Sequence, residues 1–250
     1  MQATVTQVGH IPPLERPETI ALAATENERV SELLGALDDL DWSKPTDCSL
    51  WDVRALAAHV LGGMEAFATF RQFVHQMRAG KKAAGDGPFI DGMTAVQVNE
   101  RVALTRSQLL ERLANAGPRA ARGRSRFPGL MRAMPMKQDV AGVEETWKMS
   151  YLLDVVLTRD TWMHRVDLAR ATGHELVLTP EHDGRLVADV VADWARRHGQ
   201  PFSLHLQGVA GGLYVAGEAG EEITLDAVDF CRILAHRATG TGLLTHEVPF

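Results

Sequence analysis

The chain has 250 residues, 45% hydrophobic and 23% charged, with a net charge of -6 at pH 7. That balance is ordinary for a globular protein with a sizeable core, so neither a disulfide nor a metal is required merely for folding. The acidic excess gives no basic face for nucleic acid, Cys48 and Cys231 are too few for a disulfide framework, and no apolar run approaches the roughly 18–20 residues that cross a bilayer.

Residues 1–16 read as a flexible lead-in, polar and mixed, without the basic and apolar regions of a signal peptide. Cytoplasm is the expected location. Pro17 stands where a first-turn proline belongs, and Ile20, Leu22, Val30, Leu33, Leu34 and Leu37 predict a first helix over 18–40. Ser49 as N-cap with Asp52 three residues on predicts a second helix. Its stripe is Trp51, Leu56, Ala57, Val60, Leu61 and Met64, and it continues past Gly62-Gly63, with a kink there, to about Met77.

The Gly- and Lys-rich stretch 79–92 reads as a loop. A third helix is expected over 94–116, stopped by Gly117-Pro118. Residues 119–140, rich in arginine and proline, read as an irregular segment or lid whose arginines are solvated or bind an anion. A fourth helix is expected over 143–172 and a fifth over 180–198. Alternation in 202–206, with short apolar runs at 213–216 and 222–225, predicts strands, and 226–238 a last helix. The expected fold is α+β: a four-helix bundle over 17–175, then a smaller mixed α/β domain over 180–250.

Phosphate-loop, dinucleotide, serine-hydrolase and His-Glu-x-x-His motifs are all lacking. What remains is Arg159-Asp160-Thr161-Trp162-Met163-His164-Arg165-Val166-Asp167. Asp160 and His164 are four apart, hence one turn apart on one helix face, where a carboxylate and an imidazole can chelate one ion. A third protein ligand is needed, and His59, set in the apolar run Leu56-Ala57-Ala58-His59-Val60-Leu61, is the candidate. The plainer alternatives are a hydrogen-bonded core histidine and a surface Asp/His pair, with Arg165 and Asp167 as ordinary surface charges and Cys48 as an inert thiol.

The stretch from Trp42 to His59 carries Thr46-Asp47-Cys48, Trp51-Asp52-Val53-Arg54 and Ala57-Ala58-His59. It resembles the N-terminal signature of the mycothiol-dependent maleylpyruvate isomerase family. The stretch Thr158–Ala169 resembles that family's second signature, Arg-acid-x-Trp-x-His-x-x-Asp. The ending, from Phe230-Cys231-Arg232 to Arg237 and then Gly240–Leu244 and Val248-Pro249-Phe250, is similar to the C-terminal domain found in many members.

The resemblance implies a DinB-like bundle in which His59, Asp160 and His164 hold a divalent metal, commonly zinc. Asp160 stands where the isomerase pattern has Glu. It further implies mycothiol as a thiol cosubstrate, used for isomerisation of, or S-transfer to, a small electrophile. An arginine from the C-terminal domain would act near the active site, with Arg237 the best match and Arg232 the next. The contrasting expectations are a non-catalytic metal or small-ligand binder or regulator, and a metal-dependent hydrolase. The partners implied are small molecules, with no nucleic acid or membrane, for a monomer or homodimer.

Overall fold

A computed structural model describes residues 4–140 and 142–250. In chain order it contains β1 (Val5–Gln7), α1 (Arg16–Ala36), α2 (Val53–Ala68), α3 (Phe70–Ala84), α4 (Phe89–Asn99) and α5 (Arg106–Ser125). There follow the single turn α6 (Gly129–Arg132), β2 (Pro135–Val140), β3 (Val143–Lys148), the short α7 (Met149–Tyr151) and α8 (Leu157–Thr172). The remainder is α9 (Arg185–His198), β4 (Phe202–Gln207), β5 (Gly212–Ala216), β6 (Glu221–Asp226) and α10 (Ala227–Leu234). The fold is α+β, a helical unit and a smaller mixed one. No helix among the described residues is long and apolar enough to cross a membrane.

The helical unit comprises residues 16–134 and 160–176. Its core is the stripe of α2, with Val53, Leu56, Ala57, Val60, Leu61 and Met64 at helical spacing. These pack on Val30 and Leu34 of α1 and Leu37 just after it, on Leu109, Leu113, Ala116 and Ala120 of α5, and on Leu168 of α8. Each large apolar side chain so buried contributes about 1.5–3 kcal/mol.

Helix α2 starts later than expected. Asp52, not Ser49, is the N-cap, its carboxylate accepting from the Ala55 amide at 2.8 Å. The helix also passes Gly62-Gly63 unbroken and stops at Thr69, whose extended backbone and hydroxyl cap a separate helix, α3. That helix covers residues expected to continue the second helix and runs on to Ala84, into the stretch expected to be a loop.

The third predicted helix is two, α4 and α5, the second opened by a reciprocal Thr105–Gln108 capping box. Pro118 does not end α5, although proline removes one backbone bond. Ala116, Ala120 and Ala121 are buried on either side of it, and Asn27 donates its side-chain amide to the Gly117 carbonyl at 3.0 Å. Tertiary packing thus carries the helix through the first part of the arginine-rich segment, which is neither irregular nor a lid there.

The other unit comprises residues 4–15, 135–159 and 177–250. The bundle span expected, 17–175, therefore takes in residues 135–159, which group with this unit. Its sheet has the order β1-β5-β4-β6, with β4 antiparallel to β5 and the two outer pairings parallel. Val5–Gln7, expected to be flexible, is an edge strand of that sheet. Val143–Lys148, expected to be helical, pairs with Pro135–Val140 as a hairpin. Chain direction returns to helix at Met149 and widens through a π turn at Leu152–Val156 before α8. Trp194 of α9 packs on Phe202 and Phe230, ring centroids 4.7 and 5.3 Å away. Arg159, buried at the start of α8, is held by Asp189 at 2.5 Å and Asp193 at 2.8 Å.

The paired glycines of α2 have opposite surroundings. A Cβ on Gly62 would fall 2.6 Å from the Gln97 Cβ, whereas one on Gly63 would meet nothing within 4 Å. Gly63→Ala is expected to stabilise the protein by about 0.5–1 kcal/mol, through helix propensity. Gly62→Ala is expected to destabilise it by roughly 1–3 kcal/mol, through overpacking. Urea midpoints of the two variants test this; shifts of the same sign would contradict the packing of α4 on α2.

Candidate functional site

The loop ahead of α2 is closed by its own backbone. Val53 N bonds Lys44 O at 3.0 Å, and Trp51 N bonds Cys48 O at 2.8 Å. The Thr46 hydroxyl donates to Trp51 O at 2.8 Å and accepts from the Cys48 amide at 3.2 Å. The Thr-x-Cys spacing thus has a local reason: the threonine side chain folds the loop that delivers Cys48 and Trp51. Trp51 lies against His59, ring centroids 4.8 Å apart, and 6.4 Å from the His164 ring.

His59 lies on α2, buried, in a stretch whose other residues fill the core. On α8, Asp160, His164 and Asp167 follow one another at i, i+4 and i+7 and so share a face. The structure brings His59, Asp160 and His164 together. His164 Nε2 is 3.2 Å from Asp160 Oδ1, and His59 Nε2 is 3.9 Å from Asp160 Oδ2. The imidazoles meet edge to face at 5.0 Å. Asp160 keeps about a third of its side chain exposed, so the group opens to solvent at the carboxylate.

Asp167, which the sequence left as an ordinary surface charge, is fully buried. Its Oδ2 accepts from His164 Nδ1 at 3.2 Å and from the Cys48 thiol at 3.4 Å, and Cys48 Sγ lies 3.9 Å from the same His164 nitrogen. The signal available was its place as the last Asp of the second signature, three residues beyond His164. Arg165 is not a surface charge either: it is buried with Glu26 of α1 at 2.7 Å.

The two histidines titrate in opposite directions. Burial and the neighbouring His164 push His59 down to about 4, against a smaller upward pull from Asp160. Burial also opposes charge on His164, but the Asp160 carboxylate and hydrogen bonds to Asp160, Asp167 and Cys48 outweigh it, and its pKa stands well above the usual value. At neutral pH His59 is a neutral ring with a lone pair available, while His164 carries a proton between two carboxylates.

Such a set fits a divalent ion. Two imidazole nitrogens and one carboxylate oxygen, all within 4.8 Å of one another, are the donors of a three-ligand catalytic zinc site with a position left open. Bonds of about 2.0–2.1 Å to a tetrahedral ion place donors roughly 3.4 Å apart, and the observed 3.2 and 3.9 Å separations bracket that spacing. His164 is also backed by a carboxylate on its far nitrogen, the usual support of a ligating histidine. Glu65, on the same helix as His59, is already taken by Arg101 at 2.8 Å and Arg112 at 2.7 Å.

Arg237 sits in the turn after α10, in the other unit; its amide bonds Arg232 O at 2.8 Å and its guanidinium donates to Ala235 O at 3.3 Å. Arg232 is buried, with Asp229 at 3.2 Å.

Residues 23–169, more than half of the chain and spanning all three clustered side chains, match the family model of the mycothiol maleylpyruvate isomerase N-terminal domain. The chain belongs to that family. Its fold is similar to the crystal structure of a mycothiol-dependent maleylpyruvate isomerase, with a TM-score of 0.56 and 16% identity over 94% of this chain and 93% of that one. A histidine-to-alanine variant of that enzyme gives the same values, TM-score 0.56, 16% identity, and 94% and 93% coverage. At this identity the likeness speaks for the fold. Among curated proteins none matches the chain.

The proton on His164 competes with any cation for that ring. Zinc affinity, measured by chelator competition, is therefore expected to rise with pH from 6.5 upward, by up to about tenfold per pH unit, until His164 has lost its proton. Affinity that stays level from pH 6 to 8.5 would remove His164 from the ligand set.

Proposed function

We propose that this protein is a metal-dependent enzyme that uses a low-molecular-weight thiol, mycothiol, to isomerise a small electrophile or to transfer the thiol to it. The observation that carries the reading is the convergence of His59, Asp160 and His164 donor atoms within 4.8 Å, from two different helices, in a member of this family. A divalent ion held by His59, Asp160 and His164 would supply a Lewis acid able to keep a coordinating thiol deprotonated at neutral pH.

The chain's own residues have separable tasks in this scheme. His59 offers a neutral nitrogen because burial already disfavours its charged form. His164 is oriented through its Nδ1 by Asp167. Asp160 would be the one anionic donor, its carboxylate offsetting the charge of a bound cation. Trp51 covers one flank of the His59 ring. A thiolate that adds to an activated double bond, allows rotation and leaves gives isomerisation; one that stays attached gives S-transfer. Arg237 is the proposed cation for an acidic substrate, a role supported by the likeness of the C-terminal stretch.

Purified protein is expected to carry close to one divalent ion per chain. His59→Ala and His164→Ala should each lose most of it, since a three-ligand site stripped of one donor binds weakly. Metal affinity should fall in the order wild type, Asp160→Glu, Asp160→Asn, with thiol-dependent turnover following. Arg237→Ala should keep the metal and lose turnover. Metal analysis together with titration by mycothiol, glutathione and cysteine decides between readings. Full occupancy in both histidine variants would overturn the ligand set, and metal without saturable thiol binding would favour a hydrolase or a non-catalytic binder.

A further inference from the structure

Behind His59 runs a row of buried amides that the reading above leaves unused. Helix α4 approaches α2 at Gly62, one turn along from His59, and the missing Cβ there is what lets Gln97 lie against the helix. Gln97 Nε2 donates to Gln76 Oε1 at 3.1 Å, and Gln76 Nε2 donates to the Gly62 carbonyl at 2.9 Å. Both glutamines are buried, Gln76 completely.

The direction of this row is forced. A carbonyl can only accept, so Gln76 must turn its nitrogen to Gly62 and its oxygen to Gln97. Gln97 must then spend its nitrogen on Gln76, which leaves its Oε1 at the free end. That oxygen and His59 Nδ1 are both buried and both without a hydrogen-bond partner among the described residues, and His59 stands one helical turn before the Gly62 that Gln97 packs against. A buried donor and a buried acceptor left over beside each other are worth more joined than apart. The helix that carries Gln97 is itself tied down. Arg101, buried, donates to the Gln97 carbonyl at 3.1 Å and to Glu65 of α2 at 2.8 Å.

We propose that Gln97 is a positioning residue for the candidate metal site: its Oε1 accepts the Nδ1–H of His59 and so selects the tautomer whose Nε2 lone pair faces Asp160 and His164. Gln76 and the Gly62 carbonyl hold the Gln97 amide against turning over, which would present a donor to the ring and favour the wrong tautomer. The two histidines are then backed differently, His164 by the Asp167 carboxylate and His59 by a neutral amide. A neutral acceptor orients His59 without adding a third carboxylate to a site that already has two. This inference rests on the metal-site reading for its purpose but not for its test.

The test uses full-length protein at pH 7, with ¹⁵N imidazole spectra of the metal-free form and zinc affinity by chelator competition, for wild type, Gln97→Met and Gln76→Met. Wild-type His59 is expected to carry its proton on Nδ1. Gln97→Met should mix the tautomers and weaken zinc binding by about 10–100-fold, the usual range for losing the support of a ligating histidine. Gln76→Met should move both readouts in the same direction by less, and it carries the test if Gln97→Met does not fold. A wild-type His59 protonated on Nε2 overturns the proposal, as do folded variants with unchanged tautomer and unchanged affinity. A wild type that shows the Gln97-dependent tautomer but binds no zinc keeps the relay and overturns the metal reading instead.

Discussion

The two imidazoles that face Asp160 do not share the site equally. The nearer ring, His164, lies between Asp160 and Asp167 and keeps its charge; the other, His59, is left neutral by burial and by the charge next door. This division governs what the site can do. It gives one nitrogen that is ready for an electrophile or a cation and one that must first release a proton, so affinity for any cation is coupled to pH. It also explains why the carboxylates sit where they do. Asp167 accepts from His164 and from Cys48 in a buried place, and His164 without Asp167 would lose the partner that fixes its ring.

The surrounding elements serve this arrangement through backbone and buried polar contacts more than through apolar packing. The loop before α2 is folded by Thr46, so that Cys48 meets Asp167 and Trp51 meets His59. Gly62 admits α4, and Gln97 lies against α2 there, one turn along from His59. Glu26 of α1 and Arg165 of α8 form a buried ion pair. Such pairs add little net stability against an apolar pair, but they are strongly destabilising to break. The apolar stripe of α2 supplies the stability, while these polar contacts decide which way the functional side chains point.

Several of these features were legible in the residues. The Asp160–His164 pair follows from helical spacing, and His59 stood out as a histidine in an apolar run. The apolar stripe of α2, the strands at 202–207 and 221–226 and the helices at 185–198 and 227–234 all show the expected periodicities. Other features ran against local rules. Pro118 is a helix breaker by propensity, yet Asn27 and the buried alanines around it keep α5 intact. Residues 143–148 carry glutamates and a tryptophan that suit either state, and only the pairing with β2 makes them a strand. Val5–Gln7 is too short to show any pattern, and its strand exists because β5 offers an edge. Gln97 gives no sign at all, being one polar residue in a helix of mixed character.

The sequence by itself determined the alternation of helical and extended segments and the residue types able to bind a metal, because both are set by local spacing along the chain. It also carried the signatures by which the family is known, since these cluster at the start of α2 and along α8. Only the tertiary structure decided which polar residues are buried and what each one faces. Asp167, Arg165, Gln76 and Gln97 look like surface residues in one dimension, and they become partners of specific groups because helices distant in sequence close over them. Burial removes the water that would otherwise satisfy a polar side chain, so each must find a protein partner, and that demand acts between elements rather than along the chain.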